Sequence, residues 1–181
     1  FIEDFKWLSR SDVADYVCRG IDAMVSLGKE NAIKCSEPIQ QLLQETSKMD
    51  PVRCRTRHLL AIAAMRIIAL NVKEPKALEV TFVQQGDQDI QTPITPCIVY
   101  SGEWIEEADF YLFVDHKRLF STSNAEEGLI VLLGAYWLFN ICYAREAFNT
   151  LTVMENLFLK MNVTAPRAVV TKFINRVLKN E

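Results

Sequence analysis

The chain has 181 residues, half of them apolar, and a formal net charge of −3. This length is enough for one substantial core and short for two, so we expect a single domain. The slightly acidic balance gives no global attraction to phosphate, and a nucleic-acid binder would have to rely on a local basic patch.

The first part of the sequence predicts two amphipathic helices. Ser11 and Asp12 can cap a helix that runs to about Leu27 and is ended by Gly28. Pro38 suits the first turn of a second, short helix, because a proline there loses no helical hydrogen bond. Both helices belong to a helical N-terminal region.

A third helix has the clearest start signal. Asp50 is a favourable N-cap and Pro51 a favourable first residue, which predicts a helix that ends near Val72. Residues 59–70 are apolar on nearly every face of this helix. Because a helix that is apolar all round is buried, we expect it to be the central post of the N-terminal lobe.

After Pro75 the pattern changes to short strands. Alternating β-branched and aromatic residues predict strands at Leu78–Val83, Cys97–Tyr100 and Phe110–Val114. Leu119 and Phe120 can close a hairpin around residues 115–118. A small sheet of three to four strands is therefore expected.

Three helices are predicted at the C-terminal end. Ser123 and Glu126 match a capping box, which places a helix start before the apolar run of residues 128–143. That run is shorter than the roughly twenty apolar residues of a membrane-spanning helix, so we expect a buried helix and no membrane association. Residues 147–161 and 166–178 repeat apolar side chains at helical spacing and predict the last two helices.

Together the elements predict an α+β fold dominated by helices. An N-terminal helical lobe, residues 1–74, and a second lobe of sheet plus three helices, residues 75–181, would share one core within a single domain. Because the sequence begins at Phe1 and not at methionine, we expect it to be a piece of a longer protein.

The five cysteines are odd in number and lack metal-ligand spacing, which is typical of reduced thiols in an intracellular protein, cytoplasmic or nuclear. Acid–base chemistry is limited to His58 and His116. A dyad of a histidine with Cys54 or Cys97 stays open, although neither cysteine has a surrounding signature. The phosphate-binding, hydrolase and metalloprotease motifs are absent, so we expect no catalytic residue, no cofactor and no metal.

An acidic cluster offers one alternative. Glu103, Glu106, Glu107, Asp109 and Asp115 lie near one predicted strand. Asp109, Asp115 and one of the glutamates, brought close together, could hold Mg²⁺ for phosphoryl transfer. The other interpretation is a solvated acidic loop before a hairpin turn, where aspartate is common.

Six basic residues are candidate contacts for nucleic acid or an acidic partner. Arg53 and Arg57 share a face in the first turns of the third helix, where the helix macrodipole opposes positive charge. An ordinary solvated helix end with salt bridges is the alternative for this pair. The full set is Arg53, Arg57, Arg167, Lys172, Arg176 and Lys179.

Arg66 interrupts the apolar run of the third helix. Burying an unpaired guanidinium is costly, so this residue is expected to have a structural role. Either it pairs with a carboxylate from another element, or it marks the exposed side of the helix.

Four sequence features occur in a distinctive order. They are the strand Phe110–Asp115, the run Tyr136–Asn140 with Tyr143, a helix containing Met154–Leu159, and a Pro-Arg step after it. In this respect residues 96–177 resemble the C-terminal module of the vertebrate proteins named sterile alpha motif domain-containing protein three and their relatives.

The resemblance implies a non-enzymatic module that is often joined to interaction domains. It makes Asn140 and Tyr143 candidates for a structural role, such as capping the turn between two helices. The sequence departs from the family pattern at Ala144, where a proline commonly follows the tyrosine.

We therefore expect a non-enzymatic protein-interaction or scaffolding domain of a larger intracellular protein. Its partner would be another protein or a second copy, with self-association through an amphipathic helix. A nucleic-acid-binding or capsid-like module of viral or mobile-element origin is one alternative, and a metal-dependent phosphoryl-transfer enzyme is the other.

Overall fold

This computed structural model describes residues 1–4, 12–50, 53–85, 91–101 and 109–180. The N-terminal half holds helices α1 (Val13–Lys29), α2 (Glu37–Thr46), α3 (Cys54–Val72) and α4 (Ala77–Thr81). The strands are β1 (Phe82–Gln84), β2 (Cys97–Tyr100), β3 (Phe110–Val114) and β4 (Lys117–Thr122). Helices α5 (Ala125–Leu138), α6 (Phe148–Leu157) and α7 (Ala168–Leu178) follow, with a 3₁₀ turn at Arg145–Ala147. The helix-dominated α+β class is confirmed.

Helix α3 is the centre of the packing. It contacts α1 and α2 on the N-terminal side and α5, α6 and α7 on the C-terminal side. Its apolar residues are buried on nearly every face, as its sequence predicts. The buried side chains form one continuous cluster from Val13 in α1 to Val177 in α7.

The four strands form one mixed sheet in the order β1-β2-β3-β4. Strand β1 runs parallel to β2, and the other neighbours are antiparallel. Helix α5 packs against β2, β3 and β4, and all four residues of β2 are buried. The β3–β4 connection turns at Asp115 and His116, both with positive φ, as tight hairpins require.

The strand predicted at Leu78–Val83 is wrong over its first four residues. Residues 77–81 form the short helix α4, and only Phe82–Gln84 pair with β2. The side-chain hydroxyl of Thr81 donates to the carbonyl oxygen of Ala77 at 2.6 Å. Ala77 and Thr81 are both buried, so tertiary packing overrides the strand propensity of this segment.

Two predicted helix starts need correction. Helix α3 begins at Cys54, and its N-cap is Arg53 and not Asp50, whose carbonyl oxygen accepts from the Thr56 hydroxyl at 2.6 Å. Helix α5 is capped by Asn124 and not by Ser123, because the Asn124 side chain accepts from the Glu127 N–H at 2.9 Å. Ser11 and Pro51, the other predicted cap residues, lie outside the described residues.

Two predicted helix ends also need correction. Gly28 lies inside α1, which continues to Lys29, and a Cβ there would press on Ile67 of α3. The apolar run of residues 128–143 is helical only to Leu138. Within the described parts of the chain, no helix combines the length and apolar character needed to cross a membrane.

Candidate functional site

Arg57 is held inside the fold. Its Nε donates to Glu126 at 2.6 Å and its Nη1 donates to Asp22 at 2.6 Å. A third, longer hydrogen bond runs to the carbonyl oxygen of Cys18. Burial opposes the charge of Arg57, but the hydrogen bonds to the two carboxylates outweigh it and raise the pKa. Arg57 thus connects α1, α3 and α5, and this geometry removes it from the candidate binding residues.

Arg53 and Arg66 have different surroundings on the same helix. Arg53 is exposed, with its Nε 3.8 Å from a carboxylate oxygen of Asp50. Arg66 is half-buried, and burial lowers its pKa while the neighbouring Tyr100 partly offsets this shift. The sequence left open whether Arg66 is buried or exposed. In the structure its burial is intermediate between these two possibilities.

Three of the predicted basic residues lie together on one face of α7. Lys172, Arg176 and Lys179 are exposed and line a shallow groove along the helix. The opposite face of α7 is buried against α3 and α6. Residues 156–180 contain five Lys or Arg and no Asp or Glu. The exposed face of α7 is therefore a local positive patch on a chain of net negative charge.

Arg167, the remaining C-terminal basic residue, contacts an aromatic ring. Its guanidinium carbon lies 4.3 Å from the centroid of the Phe148 ring, which is a cation–π contact. The six predicted basic residues thus have four different surroundings. Three lie on the face of α7, Arg167 contacts Phe148, Arg53 is exposed, and Arg57 is paired inside the fold. The structure does not bring them together as one surface.

Asn140 forms the turn that ends α5. Its φ of 51° is left-handed, a conformation that asparagine tolerates after a helix. The N–H of Asn140 donates to the Trp137 carbonyl at 3.2 Å, and the N–H of Ile141 donates to the Tyr136 carbonyl at 2.9 Å. These two bonds satisfy carbonyl groups in the last turn of the helix.

A cavity of about 250 Å³ lies beside this turn. We call it the aromatic pocket, because Tyr136, Trp137, Tyr143 and Phe148 line it. The Tyr143 ring lies 5.1 Å from Tyr136 and 6.4 Å from Phe148 between centroids. The interplanar angles of 78° and 70° place successive rings nearly perpendicular to each other. Several faces and edges of aromatic rings therefore surround one small space.

Glu155 of α6 also lines the aromatic pocket and is fully buried. Its Oε1 accepts from the backbone N–H groups of Val163 at 2.8 Å and Thr164 at 2.7 Å. Its Oε2 accepts from the hydroxyls of Tyr143, at 2.8 Å, and Thr164. Within the described residues, no Lys, Arg or His nitrogen lies within 4.0 Å of this carboxylate.

The Tyr143 hydroxyl connects the aromatic rings to this carboxylate. It accepts from the indole N–H of Trp137 at 3.2 Å and donates to Glu155. Burial, followed by the charge of Glu155, raises the pKa of Tyr143. The phenol therefore stays protonated at neutral pH and remains a donor to Glu155.

The sequence predictions did not identify Glu155. A signal was present, because Glu155 falls on the apolar stripe of α6, four residues after Leu151 and three before Phe158. Glu74 was also missed. Its carboxylate accepts from the backbone N–H groups of residues 149 and 150, each at 2.8 Å, at the N-terminus of α6.

The alternative of an Mg²⁺ site that includes both Asp109 and Asp115 is contradicted for this pair of residues. The two residues lie at opposite ends of β3, which separates their Cα atoms by about 20 Å at the rise of an extended strand. The remaining members, Glu103, Glu106 and Glu107, lie outside the described residues. Among the residues that the structure does describe, no group of three or more His, Cys, Asp or Glu is arranged to hold a metal ion.

The cysteine and histidine candidates have structural contacts. His58 is buried, and its Nδ1 accepts from the backbone N–H of Ala125 at 3.0 Å, at the start of α5. Cys54 is exposed and accepts from the Asn124 side chain. Burial raises the pKa of Cys97 to about 12, so its thiol is not ionised at neutral pH.

Comparison of the chain with protein-family models, with curated proteins and with solved structures returned no match. The resemblance of residues 96–177 to the sterile alpha motif domain-containing protein three group therefore stays a prediction.

Proposed function

We propose that this chain is a non-enzymatic protein-interaction domain, and that the exposed face of α7 binds an acidic segment of a partner protein. The observation that carries the proposal is the grouping of Lys172, Arg176 and Lys179 on one exposed helix face. Residues 156–180 contain no Asp or Glu, and the next acidic residue along the chain is Glu181. Complementary charge of this kind favours encounter with an acidic surface and selects against basic ones.

An acidic partner is favoured over a second copy of the chain. The amphipathic stripes expected to drive self-association are covered within the fold, since the apolar faces of α6 and α7 pack on each other and on α3. A symmetric contact through the exposed face of α7 would bring like charges together, which is unfavourable.

The same face is less suited to nucleic acid. Three phosphate contacts correspond to a salt-dependence slope of about −2.7 on duplex DNA, which is weak for a dedicated binder. The other residues that line the groove, such as Ala168, Thr171 and Asn175, carry no aromatic ring on which a base could stack. The internal contacts of Arg57 take away a further predicted contact.

Fluorescence anisotropy tests this proposal with a labelled glutamate-rich peptide and a labelled DNA duplex. The variant Lys172→Glu/Arg176→Glu/Lys179→Glu is expected to bind the peptide at least about tenfold more weakly than the wild type, because three attractive charges become repulsive. All three residues are exposed, so the melting temperature should change little.

A matched control changes the net charge equally at exposed lysines elsewhere, Lys34→Glu/Lys48→Glu/Lys117→Glu. This control is expected to keep the wild-type affinity for the peptide. An equal loss in both triple variants would refute a specific face on α7. Tighter binding of the duplex than of the peptide, with a steep fall on adding salt, would replace the proposal with the nucleic-acid alternative.

A further inference from the structure

The walls of the aromatic pocket favour a positively charged occupant. Tyr136, Trp137, Tyr143 and Phe148 line the cavity, and the ring of Tyr143 lies nearly perpendicular to those of Tyr136 and Phe148. The face of an aromatic ring carries negative quadrupole potential and attracts cations. The fold already uses this attraction at the pocket wall, since Arg167 lies 4.3 Å above the Phe148 ring.

Glu155 adds a full negative charge next to these rings. It is fully buried, and its four hydrogen bonds come from neutral donors. Hydrogen bonds stabilise a carboxylate but leave its net charge in place. A cation in the pocket would therefore interact with an uncompensated charge across a medium of low dielectric constant.

The hydrogen bonds of Glu155 also restrict the kind of cation. A carboxylate offers about four lone-pair sites, and Tyr143, Val163 and both donors of Thr164 occupy all four. A primary ammonium group would bring three N–H donors that this carboxylate cannot accept, and burying unsatisfied donors is costly. A quaternary ammonium group has no N–H donor and avoids this cost.

We infer that the aromatic pocket binds the trimethylammonium head of a trimethylated lysine side chain on a partner protein. A volume of about 250 Å³ is below the roughly 300 to 1,000 Å³ of pockets for whole drug-sized ligands, and suits a single side-chain head. The pocket is reachable, because Asn140, Cys142 and Val163 at its rim are exposed. The inference rests on the proposed function only in that the lysine belongs to a protein.

Three small probes with the same backbone test the chemistry separately from α7. They are the N-acetyl methylamides of trimethyllysine, of unmodified lysine, and of the neutral analogue in which carbon replaces the quaternary nitrogen. The indole N–H resonance of Trp137, assigned among the three tryptophans by the Trp137→Leu variant, reports occupancy. Trimethyllysine should give a saturable shift, with affinity about tenfold higher than either other probe.

Two variants and two controls complete the experiment. Phe148→Leu removes one wall, and Val163→Trp places a bulky side chain at a rim position that is 72% exposed and should not disturb folding. Each is expected to weaken trimethyllysine binding at least fivefold. Tyr111→Leu, which removes an aromatic ring outside the pocket that also carries an arginine, should keep the wild-type affinity. The charge-reversed α7 triple variant should also keep it, even if its peptide binding is lost.

Several results would overturn the inference. Equal affinity for the neutral analogue would make the pocket merely apolar, and equal affinity for unmodified lysine would remove the argument from Glu155. No saturable shift of Trp137 in a folded protein would show that the pocket does not accept this group. Wild-type affinity in Val163→Trp would place the binding elsewhere on the chain.

Discussion

Glu126 and Glu155 are both shielded carboxylates that join separate parts of the chain, but the fold compensates their charges in different ways. Glu126, in the first turn of α5, faces the guanidinium of Arg57 from α3. Glu155, in α6, receives two backbone N–H groups and two hydroxyls. The first carboxylate is paired with a full positive charge, whereas the second is surrounded only by dipoles.

This difference separates structural charge from charge that a ligand can use. Arg57 cancels most of the field of Glu126, and the second carboxylate of this cluster, Asp22, is 53% exposed to solvent, which screens its charge. Dipoles stabilise a buried carboxylate without cancelling its field, so the region around Glu155 keeps a negative potential next to an open cavity. We therefore treat the Arg57 cluster as a tie between helices and the aromatic pocket as a binding site.

The same substitution in both clusters should give the largest contrast. Glu155→Gln would turn an amide N–H₂ group toward donors that now meet carboxylate oxygens, and we expect it to lower the free energy of unfolding by about 3 kcal/mol. Glu126→Gln keeps an acceptor for Arg57, which also retains Asp22, so its loss should be about 1 kcal/mol. Urea unfolding of both variants at neutral pH measures the two losses. Equal losses would contradict the distinction between the clusters.

Gly20 sets how closely α1, which carries Asp22, approaches α6, which carries Glu155. A Cβ on Gly20 of α1 would overlap the ring of Phe158, which caps α6. Gly20→Ala should therefore cost about 2 kcal/mol, because the ring must shift within a packed core. Gly128→Ala in α5 is the matched control, since its added Cβ would lie 3.6 Å from Ile98 and Phe82.

The control glycine is expected to behave in the opposite way. Contacts of 3.6 Å are ordinary van der Waals contacts, and alanine has the higher helix propensity, so Gly128→Ala should be neutral or stabilising by up to about 1 kcal/mol. Thermal unfolding of both variants compares them directly. A Gly20→Ala variant as stable as the wild type would show that the Phe158 ring relocates freely. The close approach of α1 to α6 would then contribute little to stability.

The apolar pattern of the sequence is enough for the fold class but not for all element boundaries. It predicts the buried α3 because an all-apolar helix has few alternatives. Residues 78–81 carry a strand pattern, yet they form α4, where Thr81 bonds the carbonyl of Ala77. Helix α5 ends five residues before the apolar run does, because the left-handed Asn140 closes it. Such boundaries depend on tertiary contacts that a local pattern does not contain.

The sequence likewise predicts some features of the candidate sites and not others. Lys172, Arg176 and Lys179 share one face because their spacing is local, so helical periodicity alone is enough to group them. The role of Arg57 depends on Asp22 and Glu126, which are 35 and 69 residues away in the chain. No spacing rule predicts pairings of that length. Tyr143 and Asn140 stood out only through the family resemblance, which gave no reason to expect a cavity beside them.

Arg57→Met should lower the free energy of unfolding less than Glu155→Gln or Gly20→Ala does. The dependence of this loss on salt is the sharper test. The side chains of Arg57 and Glu126 are 16% and 18% exposed, while Asp22 is 53% exposed and can be hydrated once it loses its partner. We expect a loss of about 1.5 kcal/mol, less than for a fully buried ion pair.

Salt then separates the two kinds of cluster. The Debye length falls from about 10 Å in 0.1 M salt to about 3 Å in 1 M salt, so the loss caused by Arg57→Met should shrink as NaCl is raised over this range. The loss caused by Glu155→Gln should stay the same, because it arises from hydrogen bonds to neutral donors that are sealed from solvent. Urea unfolding at both NaCl concentrations gives the two differences. If the Glu155→Gln loss shrank as well, the carboxylate would have a charged partner in the folded protein, and its field would not be free to attract a ligand.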